Sequence, residues 1–576
     1  MQPIDISRRN FLMSSTVAAI MQSTMAASQS TGNDKRQEFD NPETKVAAFT
    51  SQLYSDKQHY AVSATDRGDS PKPLLVVLLP GQFSYLQSSA RHCEQIAMMV
   101  AEAGESAVII IPGGRGNGTV FQGYGQIDVF EAIRHVSSSY NIDMDRISVM
   151  GGSMGGAATW YMSSHYPDFF SAAATFAGYC DFRLWQKPGG FTFPMMEWEE
   201  FSWKSRSASD CVENYINTPV RILHGEWDRT IGGGVDVIQS SSMAKKFQDL
   251  GYNYYYTELR ERGHNSYDRN ASYFKEVVLW LIKQKRLSNP SKVILVCHEL
   301  RYNKNHFIGI EQLQEYGRTG RVEAEFVEDT LLNIKTQNVK TLQIFPVQGK
   351  EWVTIEIDQQ SFENVNLLGA INFTLNYSSA WEIVSSERNH VEEKHHGASG
   401  PFGDIFYERT AIVYGSTGTK AENHMMAQMA YNASRYYRQW NGGVHRGGIK
   451  GANEVEIPVL KDAEVDDATL KKYNLFCIGT PATNAILAKF DGRLPLEFGN
   501  QEIILAGKSF RGKDVAVVTA FAHPYNPDRY VAVLGGVSYD AITWASHLNL
   551  ALLPDYLVFE REKVLRWGFF NNNWMI

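Results

Sequence analysis

Cysteine is scarce in this chain: five residues in 576, at Cys93, Cys180, Cys211, Cys297 and Cys477. An odd number with no Cys-x-x-Cys pair argues against a disulfide scaffold and against a metal centre built on thiolates. Basic charge is also short. Lys and Arg number 55 against 63 Asp and Glu, a net charge of -8, which offers no basic surface to nucleic acid. Beyond the N-terminus no apolar run is long enough to cross a bilayer, so no membrane span is expected in the mature chain. No internal repeat and no low-complexity tract stands out. What is left is an ordinary globular composition, with length for two to four domains.

The first residues read as an address. Ser7-Arg8-Arg9-Asn10-Phe11-Leu12 resembles the bacterial twin-arginine export signal. A mildly apolar stretch from Phe11 to Met25 follows without an acidic residue, and Ala26, Ala27 and Ser28 offer a cleavage site. Residues 1–28 are therefore expected to be a signal peptide and 29–45 a polar linker, with the mature protein periplasmic or secreted. Export leaves a Cys180–Cys211 bond open, although twin-arginine cargo folds in a reducing cytoplasm, which disfavours it.

Leu74 to Leu79 is a continuous apolar run closed by Pro80-Gly81, as in a strand buried on both faces. Ser88 to Ala103 has helical spacing and a stop at Gly104; Ala107 to Ile111 is a strand, and Gln126 to Tyr140 a helix. Strands at 172–177, 220–224 and 254–259 alternate with helices at 240–250, stopped by Gly251, and 273–284. Strands separated by helices pair in parallel through crossovers, so residues 46–288 are expected to form a helix-flanked, mostly parallel sheet with its site at the C-terminal strand ends. After Asn289-Pro290 short alternating runs such as Arg321 to Phe326 predict a β-sandwich-like module, assigned to 289–395. From Thr410 strand and helix alternate again, which assigns 396–576 to a second α/β domain.

Arg146 to Gly156 reads Arg-Ile-Ser-Val-Met-Gly-Gly-Ser-Met-Gly-Gly, and Gly151 to Gly155 is the one Gly-x-Ser-x-Gly in the chain. It stands where a strand turns sharply into a helix, a geometry that crowds side chains two residues either side of the serine. Ser153 is thereby the candidate nucleophile, with the Met154 amide facing bound substrate. A serine hydroxyl needs a base, and the base an acid. His224-Gly225-Glu226-Trp227-Asp228 is the end of a strand and a turn carrying an aspartate; Gly263-His264-Asn265 is in the loop after the last strand. Asp228 is preferred over Asp181 as the acid and His264 as the base, with His135 and His165 read as surface residues of helices. The second oxyanion donor is assigned to the amide of Gln82, in the loop after an early strand. Aromatic residues from Tyr179 to Trp203 (Trp185, Phe191, Phe193, Trp198, Phe201) suit either an acyl pocket or the core of a small cap.

These motifs resemble the α/β-hydrolase superfamily from about residue 74 to 285, and in particular the catalytic domain of prolyl oligopeptidase-like enzymes and related secreted esterases. Tyr140 to Gly156 is similar to that family's nucleophile segment, His224 to Asp228 to its acid turn, and Gly263 to Asn265 to its histidine loop. The resemblance implies a triad of Ser153, Asp228 and His264, acting on an ester or peptide substrate without a cofactor. Pro80 departs from it, since many relatives carry histidine before the oxyanion glycine. Too few residues precede Leu74 for the propeller of true prolyl oligopeptidases, which leaves small esters open beside peptides. The competing expectation is a non-catalytic extracytoplasmic binding protein on the same scaffold. Gly415-Ser416-Thr417-Gly418 lacks the lysine of a phosphate loop and is read as a plain turn. Lys394-His395-His396 has no partner at ligand spacing and is read as a solvated loop.

Overall fold

The computed structural model describes residues 42–65, 69–79, 86–116, 121–185, 196–229, 234–384, 393–440 and 455–576. The candidate Gln82, with Pro80, Gly81, Phe191 and Phe193, lies outside them, as does the export signal.

Eight strands build the first sheet: β1 (Glu43–Thr50), β2 (Lys57–Ala64), β3 (Lys72–Leu78), β4 (Val108–Pro112), β5 (Ile142–Gly152), β6 (Ala172–Phe176), β7 (Val220–Gly225) and β8 (Tyr254–Leu259). Their order across the sheet is β1-β2-β4-β3-β5-β6-β7-β8. The run from β4 to β8 is parallel throughout, while β2 joins β4, and β1 joins β2, antiparallel. The apolar run of β3 shows why the sheet is central. Leu74, Val76 and Leu78 enter one buried cluster, and Leu75 and Val77 another on the opposite face. That is the two-residue period of a strand with both faces covered.

Helices α1 (Leu86–Glu102) and α5 (Ser272–Leu281) cover one face, through Ile96, Val100, Phe274 and Val278. Helices α2 (Tyr124–Ser139), α3 (Met154–His165) and α4 (Ile238–Leu250) cover the other, through Val129, Ala158 and Phe247. Gly251, at φ 68°, ends α4 in the left-handed conformation that a side chain would oppose.

Ten strands from Lys292 to Val384 then form two five-stranded sheets around one core that includes Leu295, Leu342 and Phe373. A seven-stranded sheet follows. Its strands at Val459–Lys461, Thr410–Tyr414, Asn474–Ile478 and Asn526–Gly536 run parallel, and those at 515–523, 556–560 and 563–568 continue it antiparallel. The architecture is thus an α/β-hydrolase-type sheet followed by a β-sandwich and a second α/β sheet.

The three parts meet behind α3. The phenol of Tyr161, on that helix, hydrogen-bonds those of Tyr302 and, at 3.2 Å, Tyr407. His165, expected at the surface, is buried here instead, between the carbonyls of Tyr161 (2.9 Å) and Ser205 (2.7 Å). Burial pushes its pKa down to about 4. His135 is half-buried and hydrogen-bonded to the Tyr60 hydroxyl at 2.9 Å. The loop at 394–396 also departs from expectation. Lys394 is buried and pairs with the buried Asp555, with its ammonium over the rings of Tyr316 and Trp574. His395 is buried as well, 3.0 Å from Asp528, and only His396 is exposed. All five cysteines are free thiols, Cys180 and Cys211 included.

Candidate active site

Strand β5 ends at Gly152 and α3 begins at Met154, leaving Ser153 as the hinge between them at φ 56°, ψ -117°. A serine is held there only because its surroundings insist. Its N–H donates to the Phe176 carbonyl at 2.7 Å, and its carbonyl accepts from Ala157 at 2.9 Å as the first helical bond. The flanking glycines are steric. A Cβ at Gly155 would fall on the Leu78 carbonyl, and one at Gly151 on the carbonyl of Gly155. The turn therefore exists only where both side chains are absent, and it raises Ser153 to the C-terminal edge of the sheet. Met154 opens α3, so its N–H belongs to the first turn, where no intrahelical acceptor exists.

Two further loops leave the same edge. The turn after β7 carries Asp228 and the loop after β8 carries His264. They are zipped together by Glu226 N–H to Leu259 O at 3.0 Å and Trp227 N–H to Arg262 O at 2.8 Å. Gly225 permits that approach, since a Cβ there would meet the carbonyls of Arg262 and Gly263.

The side chains come together. Ser153 Oγ is 2.7 Å from His264 Nε2, and His264 Nδ1 is 2.7 Å from Asp228 Oδ2. With the carboxylate accepting at Nδ1–H, Nε2 is the lone-pair nitrogen and the serine donates to it. The Asp228 side chain is 1% exposed and that of His264 32% exposed, so the imidazole stands between core and solvent. Burial would raise the Asp228 carboxyl, but hydrogen bonds from His224 and His264 outweigh it and hold the group below the ordinary carboxylate range. Asp181 is elsewhere engaged: it accepts from Arg183 at 3.1 and 3.0 Å.

His224 is the neighbour that the sequence left without a role. It stands within the acid-turn motif, but nothing in that spacing shows which way its ring faces. Met154 shares a buried cluster with Ala157, Tyr179, Phe182, Trp203, Val235 and Leu552. The aromatic segment divides: Trp203 belongs to that cluster, Trp198 to the core of the C-terminal sheet, and Phe201 lies 4.8 Å from Phe569, centroid to centroid. Among the described residues no group of three or more His, Cys, Asp or Glu side chains is placed to hold a metal ion. No described helix is long and apolar enough to cross a membrane.

Residues 108–285 match the model of the prolyl oligopeptidase family. A protein of Arthroderma benhamiae described as an uncharacterized secreted protein is 24% identical over 235 residues, 38% of this chain and 24% of the relative. The chain thus matches about a quarter of that relative's length. Among solved structures, a thermostable esterase aligns at 22% identity and TM-score 0.33, covering 43% of this chain and 64% of that one. A putative dipeptidyl aminopeptidase IV from Bacteroides ovatus aligns at 17% and 0.35, covering 42% and 36%. The acylaminoacyl peptidase of Pyrococcus horikoshii aligns at 15% and 0.33, covering 44% and 43%. Less than two thirds of each is spanned. The stretch from 108 to 285 is thus the part of the chain similar to the prolyl oligopeptidase family, and Ser153, Asp228 and His264 all fall within it.

Proposed function

We propose that the protein cleaves ester or amide bonds through a Ser153 acyl-enzyme. The observation that carries this reading is the 2.7 Å separation of Ser153 Oγ from His264 Nε2, within hydrogen-bond reach for proton transfer. As Oγ attacks the substrate carbonyl carbon, its proton passes to His264 Nε2, and the carbonyl oxygen becomes an oxyanion beside the Met154 N–H. Collapse of the tetrahedral adduct breaks the bond to the leaving oxygen or nitrogen, which takes the proton from His264. Water then repeats the sequence on the acyl-serine, releasing the acid and restoring the hydroxyl. Asp228 stays ionised, holds the Nδ1–H tautomer and offsets the imidazolium charge. Gln82 is the proposed second oxyanion donor, and Ser7 to Leu12 a proposed export signal delivering the protein beyond the cytoplasm.

The test is labelling of the purified protein with a fluorophosphonate, mass mapping of the modified residue, and parallel assay on a short-chain aryl ester and a peptide anilide. Modification at Ser153, with turnover falling about 10⁴-fold or more in Ser153→Ala, is expected. An unlabelled protein, or full activity in the variant, overturns the reading. The ratio of ester to anilide turnover assigns the substrate class.

A further inference from the structure

The acid accepts from two imidazoles. Asp228 Oδ2 lies 2.7 Å from His264 Nδ1 and 3.1 Å from His224 Nε2, and its Oδ1 accepts the Val235 N–H at 3.0 Å. His224 has no exposed surface. Its Nε2 also faces the Val235 carbonyl at 2.9 Å, and its Nδ1 the Ser240 hydroxyl at 2.7 Å.

These partners decide the ring's protonation. A carboxylate and a carbonyl only accept, so Nε2 must carry the hydrogen that they share, whatever the charge on the ring. In the neutral form Nδ1 has a lone pair and the Ser240 O–H donates into it. Ser240, from the first turn of α4, therefore complements the tautomer that the acceptors at Nε2 fix, and His224 donates to the acid.

We propose that His224 is a positioning residue for the reaction at Ser153, forming with Ser240 a buried relay, Ser240–His224–Asp228–His264–Ser153, that keeps Asp228 ionised and aimed at His264. The inference rests on the function proposed above. The Val235 N–H holds one carboxylate oxygen. His224 and His264 both donate to the other, so the carboxyl cannot rotate without losing a buried charge-assisted bond. The His224 donation also draws electron density from Oδ2. That makes Asp228 a weaker proton acceptor and leaves the proton on His264 Nδ1, where catalysis needs it. The nearby cation takes no part in holding the carboxylate, since Arg229 turns its guanidinium to the carbonyls of Glu226 and Asp228 at 2.9 and 2.7 Å. No other charged side chain among the described residues hydrogen-bonds the Asp228 carboxylate.

The test compares wild type, His224→Phe, His224→Gln and Ser240→Ala on an aryl ester, with kcat expressed per serine labelled by fluorophosphonate. Phenylalanine keeps the ring and removes the donor. We expect kcat to fall about 10- to 100-fold, the worth of one hydrogen bond to a charged group, with little change in KM. The acidic limb of the kcat profile should move to higher pH, because Asp228 relieved of one donor carries more negative charge and stabilises the His264 imidazolium more strongly. Glutamine, whose side-chain N–H reaches the same region, should recover much of the rate and return the limb. A folded His224→Phe protein with unchanged kcat per labelled serine overturns the proposal. So does a variant that loses stability and rate while its limb stays in place, since that is a packing effect alone. If His224→Phe does not fold, Ser240→Ala decides in the same way: a several-fold loss with the limb displaced upward supports the relay, and an unmoved limb refutes it. Failure of the wild-type protein to be labelled at Ser153 is a separate result, and sinks the hydrolase reading before any variant is compared.

Discussion

Leu552, from the last part of the chain, is fully buried in the cluster that holds Met154, the residue following the candidate nucleophile. The neighbouring Ala551 carbonyl accepts from Arg206 Nη2 at 2.7 Å, which pins that segment against the short helix Glu200–Arg206. Leu552→Ala opens a void there, expected to cost about 2–5 kcal/mol in stability. It should also raise turnover of esters with bulkier acyl groups relative to acetyl. Urea denaturation and a chain-length series of aryl esters measure the two effects, and an unchanged chain-length profile would remove Leu552 from the acyl side.

The depressed Asp228 carboxyl gives a stability signature of known sign. A group held below its unfolded value contributes stability above that value, about pH 4, and loses it as pH falls through the lower folded value. Asp228→Asn lacks the contribution. The stability gap between wild type and variant should be constant from pH 7 to about 5 and narrow below about 4. Denaturation midpoints at pH 7, 5 and 3 supply the measurement. Turnover of the same variant should fall about 10⁴-fold, the cost of a wrongly held tautomer.

Asp128 behaves oppositely. Burial pushes its carboxyl up to about 7, although the Gly114 N–H donates to Oδ2 at 2.6 Å; Oδ1 is buried without a partner. Between about pH 4 and 7 the folded protein holds a proton that the unfolded chain has released. Stability should therefore fall as pH rises through that window, by up to about 1.4 kcal/mol per unit, and level off above it. Asp128→Asn should flatten the slope. Melting temperatures at pH 5 and pH 8 show whether it does.

The Lys394–Asp555 pair is buried on both sides, with side chains 0% and 1% exposed. Burial drives the Lys394 ammonium below and the Asp555 carboxyl above their ordinary values, each opposed by the other's charge. Removing one partner strands a charge, so Lys394→Met should cost about 3–5 kcal/mol. Lys394→Met with Asp555→Asn should recover part of that loss, and the comparison by chemical denaturation isolates the coupling.

Much of the first sheet was legible because its signals are local. The glycines around Ser153 answer to the turn itself, the apolar run of β3 to burial on two faces, and Gly251 to a helix end. Asp228 and His264 could be put on loops after strands for the same reason. What escaped depends on distant partners. Glu43–Thr50 carries no strict alternation, and its pairing with β2 comes from the sheet edge it completes. Lys394 looks like a surface residue until Asp555, far along the chain, is folded against it. His224 sits inside a motif whose spacing points only to its aspartate; its ring acquires a role only with Ser240 and Val235 around it.

The meeting of Tyr161, Tyr302 and Tyr407 bears on how this protein can be engineered. The helix that begins after Ser153, the candidate nucleophile, ends in a lock whose other two pieces lie in short 3-10 turns of the later parts of the chain, Leu300–Tyr302 and Phe402–Tyr407. A fragment trimmed to residues 108–285 would expose the apolar flank of Trp198 and leave a buried phenol without its partners. The later parts of the chain are bracing for the front sheet, so the stretch that holds Ser153 is a poor cassette for transplantation.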